Sequence, residues 1–194
     1  MAGLGVFSIG HSNHSIEHFL ELLRLHSVQV IADVRSSPYS KYSTQFDYEP
    51  LAKSLREAGF QYVYMGAELG GRPRGEAYYD ADGRVRYDKV AESAAFQQGL
   101  GRLEKRLEDH VVAMLCAEED PSGCHRRLLI TPVLKEHGVA VSHIRGDGRL
   151  QTEDELRAEE TGDQMSLFEE MEAGPWKSIP SVSLKKRQNS SSTF

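Results

Sequence analysis

The sequence predicts an α/β fold: one three-layer domain over residues 1–150, with a mainly parallel sheet of about five strands. The first observation behind this prediction is that short β-rich runs alternate with segments of helical periodicity, which is typical of βαβ units. The second is that this alternation stops near residue 150. Residues 151–174 hold nine acids and one arginine, so we expect residues 151–194 to form a flexible, polar, acidic tail.

Each predicted element has a local signature. Five runs rich in β-branched or other apolar residues are the predicted strands, at 6–10, 28–34, 60–65, 110–117 and 140–144. Helices are predicted between them over residues 15–26, 48–59, 94–108 and 124–138. Ser15 is suited to cap the first helix and Gly59 to end the second. Pro132 predicts a kink or a late start in the last helix.

The composition excludes several classes of protein. Most of the net charge of −6 lies in the tail, because residues 1–150 carry 18 basic and 20 acidic side chains. A strongly basic nucleic-acid-binding surface is not expected. Two cysteines do not make a disulfide framework. The start of the chain lacks a secretory pattern, and no stretch approaches the roughly 18 apolar residues that span a bilayer. We therefore expect a cytoplasmic protein that makes no membrane contact.

Polar side chains follow every predicted strand. Because the carboxyl ends of parallel strands meet at one edge of a sheet, where α/β proteins bind ligands, we expect these groups to converge. They are His11, Ser12, Asn13, Asp33, Arg35, Glu68, Gly70, Gly71, Arg72, Cys116, Glu118, Glu119, His143 and Arg145. Each also has a structural interpretation, such as an ion pair between Asp33 and Arg35 or a simple turn at Gly70–Gly71. The convergence as a whole favours an enzyme.

The stretch CAEEDPSGCHRRLL (116–129) allows three interpretations. A metal site is not expected, because seven residues separate the cysteines and the adjacent Cys124 and His125 do not easily close on one ion; no metal or cofactor is predicted. A nucleophilic Cys116 would gain from the helix that follows, although the acids at 118–120 oppose a thiolate. This alternative stays open, since IADVRSSP (31–38) is similar to the Asp-Val-Arg strand end of rhodanese-like sulfurtransferases.

The third interpretation is a carboxylate site, which gives a role to more residues of the stretch than the other two interpretations do. Paired carboxylates such as Glu118 and Asp33 can divide into acid and base, or into nucleophile and acid. Histidines would carry protons, and arginines would orient the carboxylates or bind phosphate. The candidate catalytic residues are Glu118, Asp33, His11 and His125, with Cys116 for the thiol alternative. The candidate substrate-binding residues are Ser12, Arg35, Gly70, Gly71, Arg72 and Arg126.

Four spaced motifs indicate a family. IGHSNHSIEHFLELL, ADVRSSPYSKYSTQF, EAGFQYVYMGAELGG and CAEEDPSGCHRRLL follow one another over about residues 6–147. Together they resemble the domain-of-unknown-function family 488. The resemblance implies a compact α/β domain whose motif residues are His11, Ser12, Asp33, Arg35, Pro38, Phe46, Gly70, Gly71, Cys116, Glu118, Cys124, His125 and Arg126. It implies no settled activity.

The tail carries a second signal, QMSLF (164–168). It resembles the short peptide Gln-Leu/Met-Ser/Asp-Leu-Phe by which bacterial replication and repair proteins bind the DNA sliding clamp. Leu167 and Phe168 would be apolar anchors and Gln164 a polar contact. The alternative is an amphipathic stub that folds back on the body. If the clamp is the partner, tethering would bring the domain to DNA without a basic surface.

Taken together, these patterns predict an enzyme of hydrolase or lyase type that acts on a nucleic-acid or nucleotide-like substrate, in DNA repair or modification. Two alternatives remain. One is a sulfurtransferase-like or other thiol enzyme that uses Cys116, and the other is a non-catalytic adaptor that binds a ligand at the strand ends and a partner through its tail.

Overall fold

The computed structural model describes residues 4–161 and 176–178. Its strands are β1 (Gly5–Gly10), β2 (Val30–Asp33), β3 (Gln61–Tyr64), β4 (Val112–Cys116), β5 (Ala140–Ile144) and β6 (Leu150–Thr152). They form one sheet in the order β3-β2-β4-β1-β5-β6. The first five strands are parallel to their neighbours, and β6 pairs antiparallel with β5. The predicted α/β class with a mainly parallel sheet is confirmed.

Seven α-helices connect and cover these strands. They are α1 (Ile16–Leu25), α2 (Tyr48–Glu57), α3 (Gly66–Leu69), α4 (Tyr87–Ala91), α5 (Ala94–Leu107), α6 (Thr131–Glu136) and α7 (Glu153–Thr161). Ser15 caps α1 as predicted, because its side chain accepts a hydrogen bond from the His18 amide. A π-helical turn, Arg126–Ile130, runs directly into α6 and places Pro132 in that helix's first turn, where its missing N–H costs least.

Two apolar cores lie on opposite faces of the sheet. Alternate residues of β2 separate them, since Ile31 faces one core and Val30 and Ala32 face the other. Helices α1 and α2 cover the Ile31 side, and α4, α5 and α6 cover the other side. This is the predicted three-layer arrangement. It places the carboxyl ends of β1, β2 and β4 at a common edge of the sheet.

The ordered fold continues past residue 150. Strand β6 and helix α7 lie where the acidic tail was predicted to begin. Helix α7 has one buried apolar side chain, Leu156, and it is held largely by Arg127, which donates to Glu153 and in bidentate fashion to Glu160. Ion pairs therefore replace the apolar stripe by which a helix is normally recognised in a sequence.

Within the described residues, no helix is long and apolar enough to cross a membrane. A further short segment, Trp176–Ser178, is hydrogen-bonded to the body: the Trp176 indole donates to the Leu128 carbonyl at 2.6 Å, and the Ser178 amide donates to Val85. The clamp-like peptide at 164–168 lies outside the described residues.

Candidate functional site

A small cavity opens where β2 and β4 end. Its volume is about 140 Å³. The side chains that line it come from the loop after β2, the Gly71–Arg72 turn, the end of β4 and the turn before the π-helix. They include Arg35, Ser36, Gly71, Arg72, Cys116, Glu118, Cys124 and His125.

Four of these side chains bring their reactive atoms together, and we call them the cavity cluster: Cys116, Glu118, Cys124 and His125. The Cys116 Sγ lies 2.8 Å from Glu118 Oε2 and 3.6 Å from His125 Nδ1. The Cys124 Sγ lies 3.4 Å from the same carboxylate oxygen and 3.8 Å from the same ring nitrogen. Both cysteines are free thiols and are buried, whereas Glu118 is exposed at the mouth of the cavity.

The backbone fixes the orientation of His125. Its Nε2 lies 3.0 Å from the Val34 carbonyl oxygen, which can only accept a hydrogen bond. A neutral ring must therefore carry its hydrogen on Nε2, so that the Nδ1 lone pair faces the two sulfur atoms. Gly71 packs directly against the ring, and a Cβ at that position would come within 2.6 Å of the His125 side chain. The Val34 carbonyl and Gly71 thus fix the position of the ring before any ligand binds.

The electrostatics of the cavity cluster do not favour a free thiolate. The neighbouring Cys124 thiol and burial raise the pKa of Cys116 well above its usual value. Burial alone would raise the pKa of Glu118, but hydrogen bonds from the thiols and its own backbone outweigh burial, and the pKa is lowered. Burial likewise lowers the pKa of His125, but its neighbours Cys116 and Glu118 reverse this and raise it. Glu118 is thus ionised near neutral pH.

A second buried network lies beneath the cavity. Arg35 grips Asp33 through two hydrogen bonds, Nε to Oδ1 at 2.9 Å and Nη2 to Oδ2 at 2.6 Å. Tyr62 donates to Asp33 Oδ2 at 2.7 Å, and Arg35 Nη1 also donates to the Phe46 carbonyl. Asp33 has no exposed surface. Its carboxylate is therefore fully engaged in holding Arg35 at the floor of the cavity.

His11 completes this network from the end of β1. Its Nδ1 donates to the Ser12 carbonyl at 2.8 Å, so Nε2 is the acceptor for Arg35 at 3.1 Å. The ring stacks on Phe46 with centroids 4.4 Å apart. Burial lowers the pKa of His11 to about 4, with the Arg35 charge acting in the same direction. His11 is therefore neutral at pH 7.

Arg126 shapes the loop that presents Glu118. Its guanidinium donates to the carbonyls of Glu118 and Glu119 at 2.5 and 2.6 Å, and only 1% of the residue is exposed. Gly10 allows the same loop to cross the end of β1, because a Cβ there would lie 1.7 Å from the Glu118 carbonyl oxygen. Arg126 and Gly10 together set the position of the carboxylate.

A family model described as "Domain of unknown function DUF488" matches residues 15–132, which is more than half of the chain. The chain belongs to the DUF488 family. No curated protein and no solved structure gives a match. The matched range includes all four residues of the cavity cluster, so this site lies within the part that defines the family.

The site residues predicted from the sequence divide into two sets. Cys116, Glu118, His125, Arg35, Gly71 and Arg72 line the cavity. Asp33, His11, Ser12, Gly70 and Arg126 are not among its lining residues. Asp33, His11 and Arg126 lie behind or beside the cavity and contact it through Arg35 or through the loop backbone. Gly70 packs against the side chain of Ser36.

Sequence reasoning did not assign Cys124 a role in the site. It also predicted no metal site, because seven residues separate the two cysteines and the adjacent Cys124 and His125 do not easily close on one ion. In the structure both side chains turn into the cavity, and the ligand atoms of Cys116, Cys124 and His125 all lie within 4.8 Å of one another. That geometric premise therefore does not hold. The Cys-His pair of the fourth motif was the signal that could have identified Cys124.

The cavity lining includes an exposed cation. Arg72 is exposed, and its side chain has no ion pair with any residue in the described part of the chain. The loop that supplies Ser36 also carries Tyr39 and Tyr42, which are 59% and 87% exposed. Phe46, further along the chain, is fully buried.

Proposed function

We propose that the chain is an acid/base enzyme, of hydrolase or lyase type, that acts on a nucleotide-like or nucleic-acid substrate at this cavity. One observation carries the proposal: an ionised, accessible carboxylate, Glu118, lies beside an oriented imidazole, His125, in a cavity whose lining includes the exposed Arg72. A carboxylate and an imidazole in reach of one substrate can divide the roles of base and acid.

The other candidate catalytic residues take supporting roles in this proposal. Asp33 is a positioning residue, since its carboxylate is saturated by Arg35 and Tyr62 and has no exposed surface. His11 positions Arg35 from the other side. Arg126 positions Glu118 through the loop backbone. Glu118 remains the group that would touch the substrate.

The dimensions of the cavity favour a substrate that enters by one end only. A volume of about 140 Å³ is below the roughly 300 Å³ at which pockets begin to enclose a drug-sized ligand. A phosphate, a sugar carbon or one edge of a base would enter, and the rest would lie on the rim. There Arg72 supplies a bidentate donor for phosphate, and the exposed Tyr39 and Tyr42 supply faces on which bases stack.

The test is turnover by the full chain on a panel of mononucleotides and of single-stranded and damaged oligonucleotides, with products identified by mass spectrometry. The decisive variant is Glu118→Gln, which keeps the shape of the side chain and removes its charge. Asp120→Asn is the matched control, because Asp120 lies two residues further along, its side chain is 64% exposed, and it does not line the cavity. We expect turnover by the wild type and by Asp120→Asn, and loss of turnover in Glu118→Gln. A Glu118→Gln enzyme with full activity would exclude this mechanism.

A thiol enzyme is the second candidate, and one distance favours it: Cys116 Sγ lies 3.6 Å from His125 Nδ1, within reach of a base that the Val34 carbonyl orients. The two mechanisms make opposite predictions for one variant. If Cys116 is the nucleophile, Glu118→Gln should raise the rate, because the neighbouring carboxylate opposes a thiolate. Cys116→Ser should then be inactive, and alkylation of the wild type should abolish turnover.

We also propose that residues 164–168, Gln-Met-Ser-Leu-Phe, bind a bacterial DNA sliding clamp. The proposal rests on the sequence alone, in which Leu167 and Phe168 are the apolar anchors of a linear motif. The measurement is binding of a peptide that spans the motif, with a control peptide carrying Ala at both anchor positions. Equal binding of the two peptides, or none, would remove the clamp as a partner and leave the substrate search open to small nucleotides and RNA.

A further inference from the structure

We infer that Cys116, Cys124 and His125 form a zinc site, with Glu118 beside the fourth coordination position. The inference rests on the arrangement of donor atoms in the cavity. Whether the ion takes part in catalysis rests on the function proposed above, but whether it binds does not.

The sulfur–nitrogen distances match those of a tetrahedral zinc site. Zinc–sulfur bonds of about 2.3 Å and zinc–nitrogen bonds of about 2.0–2.1 Å at the tetrahedral angle place a sulfur and a nitrogen ligand about 3.6 Å apart. The two sulfur–nitrogen distances here are 3.6 Å for Cys116 and 3.8 Å for Cys124. All three donor atoms lie within 4.8 Å of one another, so that one ion can bind among them.

Two sulfur atoms and one ring nitrogen of the cluster face a shared position. Both sulfur atoms lie within hydrogen-bond reach of Glu118 Oε2 and of His125 Nδ1. When the ring gives its Nε2 hydrogen to the Val34 carbonyl, the Nδ1 lone pair faces the two sulfur atoms. The three ligand atoms thus present lone pairs to one position that a cation can occupy.

The surroundings of His125 are those of a metal ligand. Histidines that bind metals usually donate their second N–H to a backbone carbonyl or a carboxylate, which fixes the ring for the ion. The Val34 carbonyl has this role at 3.0 Å, and Gly71 supports the face of the ring. The π-helical turn Arg126–Ile130 begins directly after His125, and such turns occur frequently at functional sites.

The donor set selects the metal. Thiolate and imidazole ligands favour Zn²⁺, whereas Mg²⁺ and Ca²⁺ require oxygen ligands. Binding releases the two thiol protons, so two thiolates balance the charge of the ion. Three protein ligands leave the fourth position open to the cavity, as in catalytic rather than structural zinc sites. A water molecule bound there would lie beside Glu118, which could accept its proton.

The test begins with metal content. The full chain, purified under a reductant, is incubated with Zn²⁺, dialysed and analysed by elemental mass spectrometry. We expect one zinc ion per chain, and at least a tenfold weaker zinc affinity in Cys124→Ser and in His125→Ala. His137→Ala is the matched control, because His137 is exposed and pairs with Glu104 on the surface. Failure of the wild type to retain zinc, or equal retention by Cys124→Ser, would overturn the inference.

Cobalt substitution identifies the ligands without an assay of activity. Co²⁺ bound by two thiolates in a tetrahedral site gives thiolate-to-metal charge-transfer bands and intense visible d–d bands. We expect both in the wild type, and loss of part of the charge-transfer intensity in Cys116→Ser. Cys124→His keeps a metal ligand at the position and should restore stoichiometric binding, which separates ligand loss from misfolding. Spectra of an octahedral, sulfur-free cobalt site would contradict the assignment.

Failure of the zinc inference and failure of the proposed function give different results. If the chain binds one zinc ion but turns over no substrate of the panel, the result supports the zinc site and contradicts the proposed function. If the chain still turns over substrate after a chelator has removed zinc, the result supports the proposed function and shows that the ion takes no part in catalysis. Turnover that is lost on chelation and restored by Zn²⁺ would support both, with Glu118 as the base and His125 as a metal ligand instead of the acid.

Discussion

Two polar clusters of similar chemistry lie on opposite sides of β1 in the sheet, and only one of them is accessible. The cavity cluster joins two thiols, an imidazole and a carboxylate at the carboxyl end of β4. The other, which we call the sealed triad, joins Ser8 on β1, His143 on β5 and Glu153 on α7. Ser8 Oγ lies 2.7 Å from His143 Nδ1, and His143 Nε2 lies 2.6 Å from Glu153 Oε1.

The sealed triad has the residue types of a serine hydrolase but not its accessibility. Ser8 is completely buried and His143 is 1% exposed, so no substrate can reach the hydroxyl. Burial alone would raise the pKa of Glu153, but hydrogen bonds from His143 and Arg127 outweigh it and lower the pKa. Every group has a partner, and the triad ties α7 to the sheet. The comparison teaches that access to a cavity, rather than residue types, distinguishes a site from a structural network.

The largest expected effect concerns catalysis at the cavity cluster. Glu118→Gln should lower kcat by roughly 10²–10⁴-fold, the usual contribution of a general acid or base. The free energy of unfolding should change by less than about 1 kcal/mol, because the side chain is exposed at the cavity mouth. The measurements are kcat on the substrate found in the panel and urea unfolding of the same samples. A large loss of stability together with activity would instead assign Glu118 a structural role.

The sealed triad should show the opposite pattern. His143→Phe removes both hydrogen bonds of the imidazole and leaves the Ser8 hydroxyl buried without a partner. We expect the free energy of unfolding to fall by about 2–4 kcal/mol, with kcat of the remaining folded enzyme unchanged. The control is His137→Phe, whose side chain is 43% exposed, and which should change stability by less than about 1 kcal/mol. Loss of kcat in folded His143→Phe would mean that the triad is coupled to the cavity.

The network beneath the cavity should respond to pH through His11. Because its folded pKa of about 4 lies below its unfolded value of about 6.5, the unfolded chain binds more protons between these pH values. The contribution of His11 to the free energy of unfolding should therefore be fully present above about pH 6.5 and should decrease as the pH drops towards 4. The loss is at most about 3 kcal/mol.

Urea unfolding at intervals between pH 7 and pH 4 measures this dependence. A His11→Gln variant keeps polar contacts near Arg35 but cannot titrate in this range, so its stability should decline less over the same interval. Parallel curves for the two proteins would show that His11 does not carry the pH dependence.

The smallest effect is expected on the surface. Lys53 and Glu57 form an ion pair one helical turn apart on α2, with side chains 73% and 66% exposed. Lys53→Ala should change the free energy of unfolding by less than about 0.5 kcal/mol. Thermal unfolding of this variant sets the baseline against which the loss in His143→Phe is judged. An equally large loss in both variants would remove the distinction between buried and exposed networks.

The sequence predicted the central elements well, because their signals are local. All five predicted strands occur in the structure, and Ser15 and Gly59 mark the ends of helices at the expected places. Strand β6 and helix α7 were not predicted. Strand β6 has only three residues, and α7 is attached through Arg127 and Glu160 rather than through an apolar stripe. Neither leaves a periodic pattern in the chain.

What the sequence by itself determined is the α/β class, the DUF488 motifs and the set of reactive residues at the strand ends. Those follow from hydrophobic periodicity and from residue types, which need no knowledge of distant contacts. Only the tertiary structure decided which of these residues share a cavity. In the structure Asp33 is buried and paired with Arg35, Cys124 lies close to Cys116, and His143 is buried between Ser8 and Glu153. The physical reason is that access and partnership depend on packing between elements far apart in the chain, which no local pattern encodes.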